Sequence, residues 1–234
     1  YDELSVYEVY DALREGEIKC FPNGYLDEDV SKELLRYVML EEDNLTRSQI
    51  CSINFLEYTK RKKLRTVLKR FSTLHELVSF CFPEFRIKPW ELKKVEDGFW
   101  QDKNNRLKAL LWLANKEQID LNDLSQIKRI NAQLLHKYFG SRILKYSNNS
   151  LFELLDLYYN GKYKEWEIVN KMGTWTDKKI IEAMHWMIDE KLKWTSEDVC
   201  NNISIEVFKE FGLESMLSHR CRHCILIALK LAYP

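Results

Sequence analysis

Apolar residues recur at helical spacing along most of the chain. Val6, Val9, Tyr10 and Leu13 line one side of a predicted helix over Val6–Glu15, whose outer side is acidic. Three longer helices are predicted over Asp29–Glu41, Asn104–Lys116 and Asp177–Lys191, the last with Ile181, Met184, Met187 and Ile188 at helical spacing. A shorter helix follows at a visible start signal. Thr46-Arg47-Ser48-Gln49 is a capping box, in which hydroxyl and Gln side chain satisfy free backbone donors. Thr195-Ser196-Glu197-Asp198 is a looser version, with acids favoured by the helix dipole. Next come helical stretches with the apolar pairs Phe55-Leu56, Leu134-Leu135 and Val207-Phe208. The last two stop at Phe139-Gly140 and Phe211-Gly212, where glycine permits the left-handed turn that ends a helix. Another helical segment starts directly after that turn. Closing helices are predicted over Leu74–Phe82, Leu151–Tyr159 and Cys224–Tyr233, with Pro83 and Pro234 at equivalent ends.

The same order of elements thus occurs three times. Gly24, Gly98 and Gly173 fall 74 and 75 residues apart. Trp90-Glu91 and Trp166-Glu167 precede the second and third glycine, and Trp100 and Trp175 follow two residues after them. The expected fold is all-α, three tandem helical repeats of about 75 residues, each with a helix-turn-helix-like part, behind an N-terminal capping helix. Its divisions are residues 1–26 for the N-terminal helix and first linker, 27–100 for repeat 1, 101–175 for repeat 2 and 176–234 for repeat 3.

Composition narrows the class. Seven Gly and four Pro in 234 residues are too few for a turn-rich all-β protein, and no apolar run approaches the length of a membrane span. Six cysteines scattered among helical segments read as reduced thiols of a cytoplasmic protein. The chain starts at Tyr1 without a signal pattern or Met, which suggests a trimmed or longer parent chain. Net charge is zero but unevenly spread. Residues 1–43 hold 13 acidic and 4 basic residues, 44–146 hold 10 and 21, and 147–234 hold 13 and 11. A basic middle beside an acidic start allows contact with a polyanion, or of one part of the chain with another.

Glu8-Val9-Tyr10-Asp11-Ala12-Leu13-Arg14-Glu15-Gly16, running on to Phe21-Pro22-Asn23-Gly24, resembles the opening of an uncharacterised repeat family of bacilli and their phages. In the third copy Trp175-Thr176, Ile180-Ile181-Glu182-Ala183, Phe211-Gly212-Leu213 and Ala232-Tyr233-Pro234 match the same repeat. More distantly, the chain is similar to the small helical repeats that accompany homing endonucleases, which implies auxiliary DNA binding without chemistry. The first copy departs from the pattern, with Lys60-Arg61-Lys62-Lys63 where the others carry Phe-Gly.

That departure contributes to the leading candidate site. Lys60, Arg61, Lys62, Lys63, Arg65, Lys69 and Arg70 fall within 11 residues, with no acid between Tyr58 and Leu74. They occupy the turn and the helix after it, where a helix-turn-helix presents its recognition element. The second copy offers His136, Lys137, Arg142 and Lys145 there, and the third His219, Arg220, Arg222 and His223. Such cations neutralise phosphates; ordinary solvated helix charges are the alternative. The expected ligand is DNA, and the competing partner is another protein seated in a groove of stacked helices. No membrane or small-molecule partner is implied.

His219-Arg220-Cys221-Arg222-His223-Cys224 invites a zinc or redox reading, but no second ligand pair completes a tetrahedral shell and no βαβ pattern surrounds it, so no metal or cofactor is expected. The seven tryptophans, placed periodically, read as core anchors rather than base-stacking platforms. Glu91 and Glu167 read as supports for a local turn or helix start. No phosphate-cradling glycine loop, nucleophile elbow, zinc-protease helix or acidic metal cluster is present, so the expectation is a protein that is not an enzyme.

Overall fold

The computed structural model describes residues 4–169 and 175–234. Gly173 and Thr174, part of the third glycine punctuation, lie outside the described residues. The protein is all-α: 64% is helical, roughly twice the share in ordinary globular proteins, and no strand occurs among the described residues. The chain divides into two compact units, Tyr1–Asp102 and Lys103–Pro234. No helix among the described residues is long and apolar enough to cross a membrane.

The first unit holds α1 (Val6–Glu15), α2 (Glu28–Arg36), α3 (Arg47–Ser52), α4 (Phe55–Arg61), α5 (Arg65–Leu68) and α6 (Leu74–Cys81). Helix α1 covers the predicted residues and starts at a Ser5–Glu8 capping box. Helix α2 widens at its end into a π-helical turn over Tyr37–Glu42, where Asp43 N–H bonds to Val38 C=O at 3.1 Å. Val9, Leu34, Leu35, Met39, Ile50 and Val78 are wholly buried. Each fully buried aliphatic side chain contributes about 2 kcal/mol by leaving water.

Thr46 caps α3 as its sequence requires. Its Oγ1 accepts from Gln49 N–H at 3.4 Å, and Gln49 Oε1 accepts from Thr46 N–H at 2.8 Å. Thr46→Ala should therefore destabilise the first unit by about 1 kcal/mol. Urea unfolding would show this as a lower midpoint with an unchanged slope; an unmoved midpoint would mean that the cap adds nothing to stability.

The second unit holds α7 (Lys103–Lys116), α8 (Leu124–Ile127), α9 (Ala132–Phe139), α10 (Arg142–Lys145), α11 (Leu151–Tyr159) and α12 (Glu165–Ile168). It continues with α13 (Asp177–His185), α14 (Ser196–Asn202), α15 (Ile205–Glu210), α16 (Glu214–His219) and α17 (Ile225–Ala232). Helices α7 and α11 pack together, and their Leu110, Leu113, Leu154 and Leu155 are wholly buried. Helix α13 ends in a second π-helical turn, Trp186–Leu192, and packs along α17. Met184, Phe208, Leu217 and Ala228 share one core with the stacked pair Trp166–Trp175.

Trp90, Trp100, Trp166, Trp175 and Trp186 are buried, while Trp112 and Trp194 are half-buried. Bulk in the core, not display to a ligand, accounts for the five buried rings. Glu91 accepts from Lys88 N–H and Glu167 from Lys164 N–H, both at 2.8 Å, so each carboxylate starts a short helical turn.

Candidate nucleic-acid interface

The basic segment of the first unit owes its shape to its apolar residues. Phe55, Tyr58 and Thr59 fall on the buried side of α4, at helical spacing, and Thr59 Oγ1 donates to Phe55 C=O at 2.7 Å. The chain then reverses over Lys62, Lys63 and Leu64. Leu64 N–H bonds to Thr59 C=O at 2.7 Å, and Lys63 takes a left-handed φ of +58°. Leu64 and Val67 are wholly buried and pin the turn and α5 to the core. With those positions inside, Lys60, Arg61, Arg65, Lys69 and Arg70 are left on the outside.

These five are exposed, and none makes an ion pair among the described residues. Arg61 lies over the Tyr58 ring, 5.6 Å from its centre. Lys62 and Lys63, in the middle of the same run, have other roles. Lys62 is only 17% exposed; its Nζ stands 2.6 Å from Asp43 Oδ1 and 3.6 Å from Glu42 Oε1. Lys63 Nζ donates to the Leu13 and Arg14 carbonyls at 2.9 and 3.3 Å, serving the C-terminal end of α1 as a cation should.

Around Lys62 a polar network forms. Tyr58 Oη donates to Asp43 Oδ2 at 2.7 Å, Tyr10 Oη donates to Lys62 C=O at 3.0 Å, and Arg14 pairs with Glu42 at 2.8 Å. Burial pushes the Tyr10 phenol up to about 12. Burial, and then the bond to Asp43, raise Tyr58 further, so both are neutral donors at any ordinary pH. Burial alone would raise the Asp43 carboxyl as well. The bonds from Lys62 and Tyr58 outweigh it and hold Asp43 below the ordinary carboxylate range. A cleft of about 540 Å³ opens here, lined by Tyr10, Arg14, Asp43, Arg61, Lys62 and Lys63. Four cations and one acid, Asp43, line it, and the bonds of Tyr10 and Lys63 tie α1 to the turn.

The second unit carries the other expected cations around two further reversals. Gly140 ends α9 with a φ of +66°, and α10 follows. Arg142 and Lys145 are exposed and make no ion pair among the described residues. Lys137 sits 4.8 Å from the Tyr138 ring centre and 3.9 Å from Glu117, at a largely exposed position. His136 is exposed too. Around α16, Arg220 Nη2 lies 2.6 Å from Asp177 Oδ1, whereas Arg222, His219 and His223 are exposed. Of the twelve cations expected from the sequence, Lys62, Lys63 and Arg220 are committed to contacts within their own unit, and Lys137 weakly so.

The residues that answer Lys62 and Lys63 lie far away in the sequence. One signal for them was present: the acidic run Glu41-Glu42-Asp43, 17 residues before the basic one, which is the self-contact that the uneven charge allowed. Helices α5 and α10 are each four residues long, about 6 Å. That is one turn, too short to lie along a major groove and read bases in the manner of a recognition helix. Among the described residues no group of three or more His, Cys, Asp or Glu is placed to hold a metal ion.

Residues 6–87 match the model of a family described as a protein of unknown function (DUF4046). The match runs from α1 through α6 and so takes in the whole network and the basic turn. No curated protein and no solved structure matches the chain.

Proposed function

We propose that the chain is a non-enzymatic nucleic-acid-binding protein, regulatory or accessory, that grips the phosphate backbone of DNA through its basic turns. The observation that carries this reading is the set of five exposed cations around α4 and α5, Lys60, Arg61, Arg65, Lys69 and Arg70, none in an ion pair among the described residues. Cations that merely solvate a helix face are usually interleaved with acids; here the acids nearby, Glu42 and Asp43, form their ion pairs with Arg14 and Lys62. The one-turn helices after the first two reversals, α5 and α10, favour phosphate contact over base reading.

The reading includes three tandem copies of one helical unit. In its support, the long helix of each copy is followed by a residue at positive φ, at Asn44, Gln118 and Lys193. A second follows the next reversal, at Lys63, Gly140 and Gly212. Leu213 N–H bonds to Phe208 C=O at 2.7 Å, the counterpart of Leu64 N–H to Thr59.

Titration of unrelated duplexes at about 50 and about 200 mM salt tests the proposal. Wild type should bind all of them alike and lose affinity steeply with salt. Replacing the five cations by Ala should flatten the salt slope by roughly 0.9 for each phosphate no longer neutralised and leave stability within about 0.5 kcal/mol. Absence of salt-sensitive binding by wild type would end the DNA reading.

The competing reading is a protein-docking scaffold. A groove of about 990 Å³ in the second unit favours it, with Ile130, Leu151, Phe152 and Ile168 among its lining and Lys128 beside them. On that reading the five-cation variant is silent on duplexes, and substitutions in the groove abolish capture of the partner.

A further inference from the structure

The last reversal of the second unit carries chemistry that phosphate binding does not use. Cys221-Arg222-His223-Cys224 is a four-residue turn closed by a 2.7 Å bond from Cys224 N–H to Cys221 C=O. Both central residues are left-handed, with φ of +50° and +58°. A bond of that kind keeps the two outer Cα atoms within about 7 Å, close to the span a disulfide bridges without moving the backbone.

The preceding closing helix, α11, is entered by the same turn. Ser147-Asn148-Asn149-Ser150 has φ of +52° and +55° at its centre and a 2.8 Å bond across it. Asparagine tolerates that conformation; arginine and histidine adopt it at about 1 kcal/mol each. Two thiols therefore stand where the other turn holds two hydroxyls. Their surroundings differ. Cys221 is wholly buried in the core with Met216 and Leu217, while Cys224 is half-buried and occupies the start of α17. Cys224 is open to a reagent from solvent, and Cys221 is shielded from one. All six cysteines are free, and no third metal ligand stands with this pair among the described residues.

We propose that Cys221 and Cys224 form a redox-active pair that closes reversibly to a disulfide by exchange with a low-molecular-weight disulfide such as glutathione disulfide. The Cys224 thiolate attacks one sulfur of the small disulfide and expels its other half as a thiolate, which takes up a proton. The Cys221 thiolate then attacks Cys224 Sγ in the mixed disulfide and expels the second small thiolate. Two protein thiols are oxidised, one small disulfide is reduced to two thiols, and the two protons end on them. An excess of small dithiol reverses both steps.

The test is exposure of the full chain to excess glutathione disulfide at mild alkaline pH, followed by alkylation and peptide mass mapping. The expected product is a peptide containing Cys221 and Cys224 that lacks two hydrogens and resists alkylation until dithiothreitol is added. The exposed Cys20 and Cys200 should stop at glutathione adducts. Cys221→Ser, which installs the residue found in the matching turn, should leave Cys224 as a stable glutathione adduct. Cys224→Ser should leave Cys221 unmodified, and Cys200→Ser should change nothing at the pair. Circular dichroism of each variant separates loss of reactivity from loss of fold. A persistent adduct at Cys224 in wild type, or a Cys224 that never reacts, would overturn the proposal.

Discussion

Gly212→Ala should destabilise the second unit by about 2 to 4 kcal/mol, the largest single-methyl effect expected in the protein. Gly212 has a φ of +74°, and a Cβ built there would stand 2.8 Å from the carbonyl oxygen of Trp166. The conformation alone costs an L-residue about 1–2 kcal/mol. The rest comes from the approach, because the obstacle is backbone, held by α12 and by the Trp166–Trp175 and Trp166–Trp186 ring contacts, and cannot swing away like a side-chain end. Gly161→Ala separates the two contributions. Its φ is +78° but nothing lies within 4 Å of the added methyl, so about 1 kcal/mol should be lost. Equal losses at both sites, measured by denaturant midpoints at constant slope, would show that the backbone at Trp166 yields freely.

The turn at Gly212 also shows what could be read from the chain. Helices whose limits are set by local chemistry were legible to the residue: Val6–Glu15 and Leu151–Tyr159 are found as predicted, and Thr46 and Thr195 cap where their hydroxyls stand. Capping and helical spacing involve partners three or four residues away, and such partners are visible in sequence. The reversal after α4 lacks the Phe-Gly found at Phe139-Gly140 and Phe211-Gly212, so its turn was placed from the order of elements and not from its own residues. It forms nonetheless, with Lys63 left-handed and its ammonium on two carbonyls of α1, 49 and 50 residues earlier. The candidate site divided along the same line. Side-by-side cations look equivalent in sequence, yet Lys62 meets Asp43 and Glu42 across a fold, while Lys60 and Arg61, two and one positions away, face solvent. Spacing could separate them only in part: burial of Tyr58 and Thr59 turns Lys60 and Arg61 outward, but the reversal that takes Lys62 inward depends on tertiary contacts.

That division leads to the second large effect. Asp43→Ala should destabilise the first unit by about 2–3 kcal/mol, because it leaves the mostly buried Lys62 ammonium with only the more distant Glu42 and the Tyr58 hydroxyl without its carboxylate. Tyr58→Phe removes one bond and leaves the ion pair, so about 1 kcal/mol should go. The same interaction sets a pH dependence. Asp43 is more acidic folded than unfolded, its bonds from Lys62 and Tyr58 overcoming the opposing effect of burial. Its contribution is therefore complete above the unfolded carboxylate value of about 4, and is lost as pH falls through the lower, folded value. Wild type should lose this increment below about pH 4, and Asp43→Ala should lose correspondingly less over the same range. Duplex binding gives the decisive comparison. If Lys62 serves the fold while Lys60, Arg61, Arg65, Lys69 and Arg70 serve the ligand, Asp43→Ala shifts the unfolding midpoint, and in the folded protein the salt slope of binding is kept. A variant that is fully stable yet binds DNA more tightly would instead show Asp43 screening a phosphate site in the cleft, and Lys62 would rejoin the binding cations.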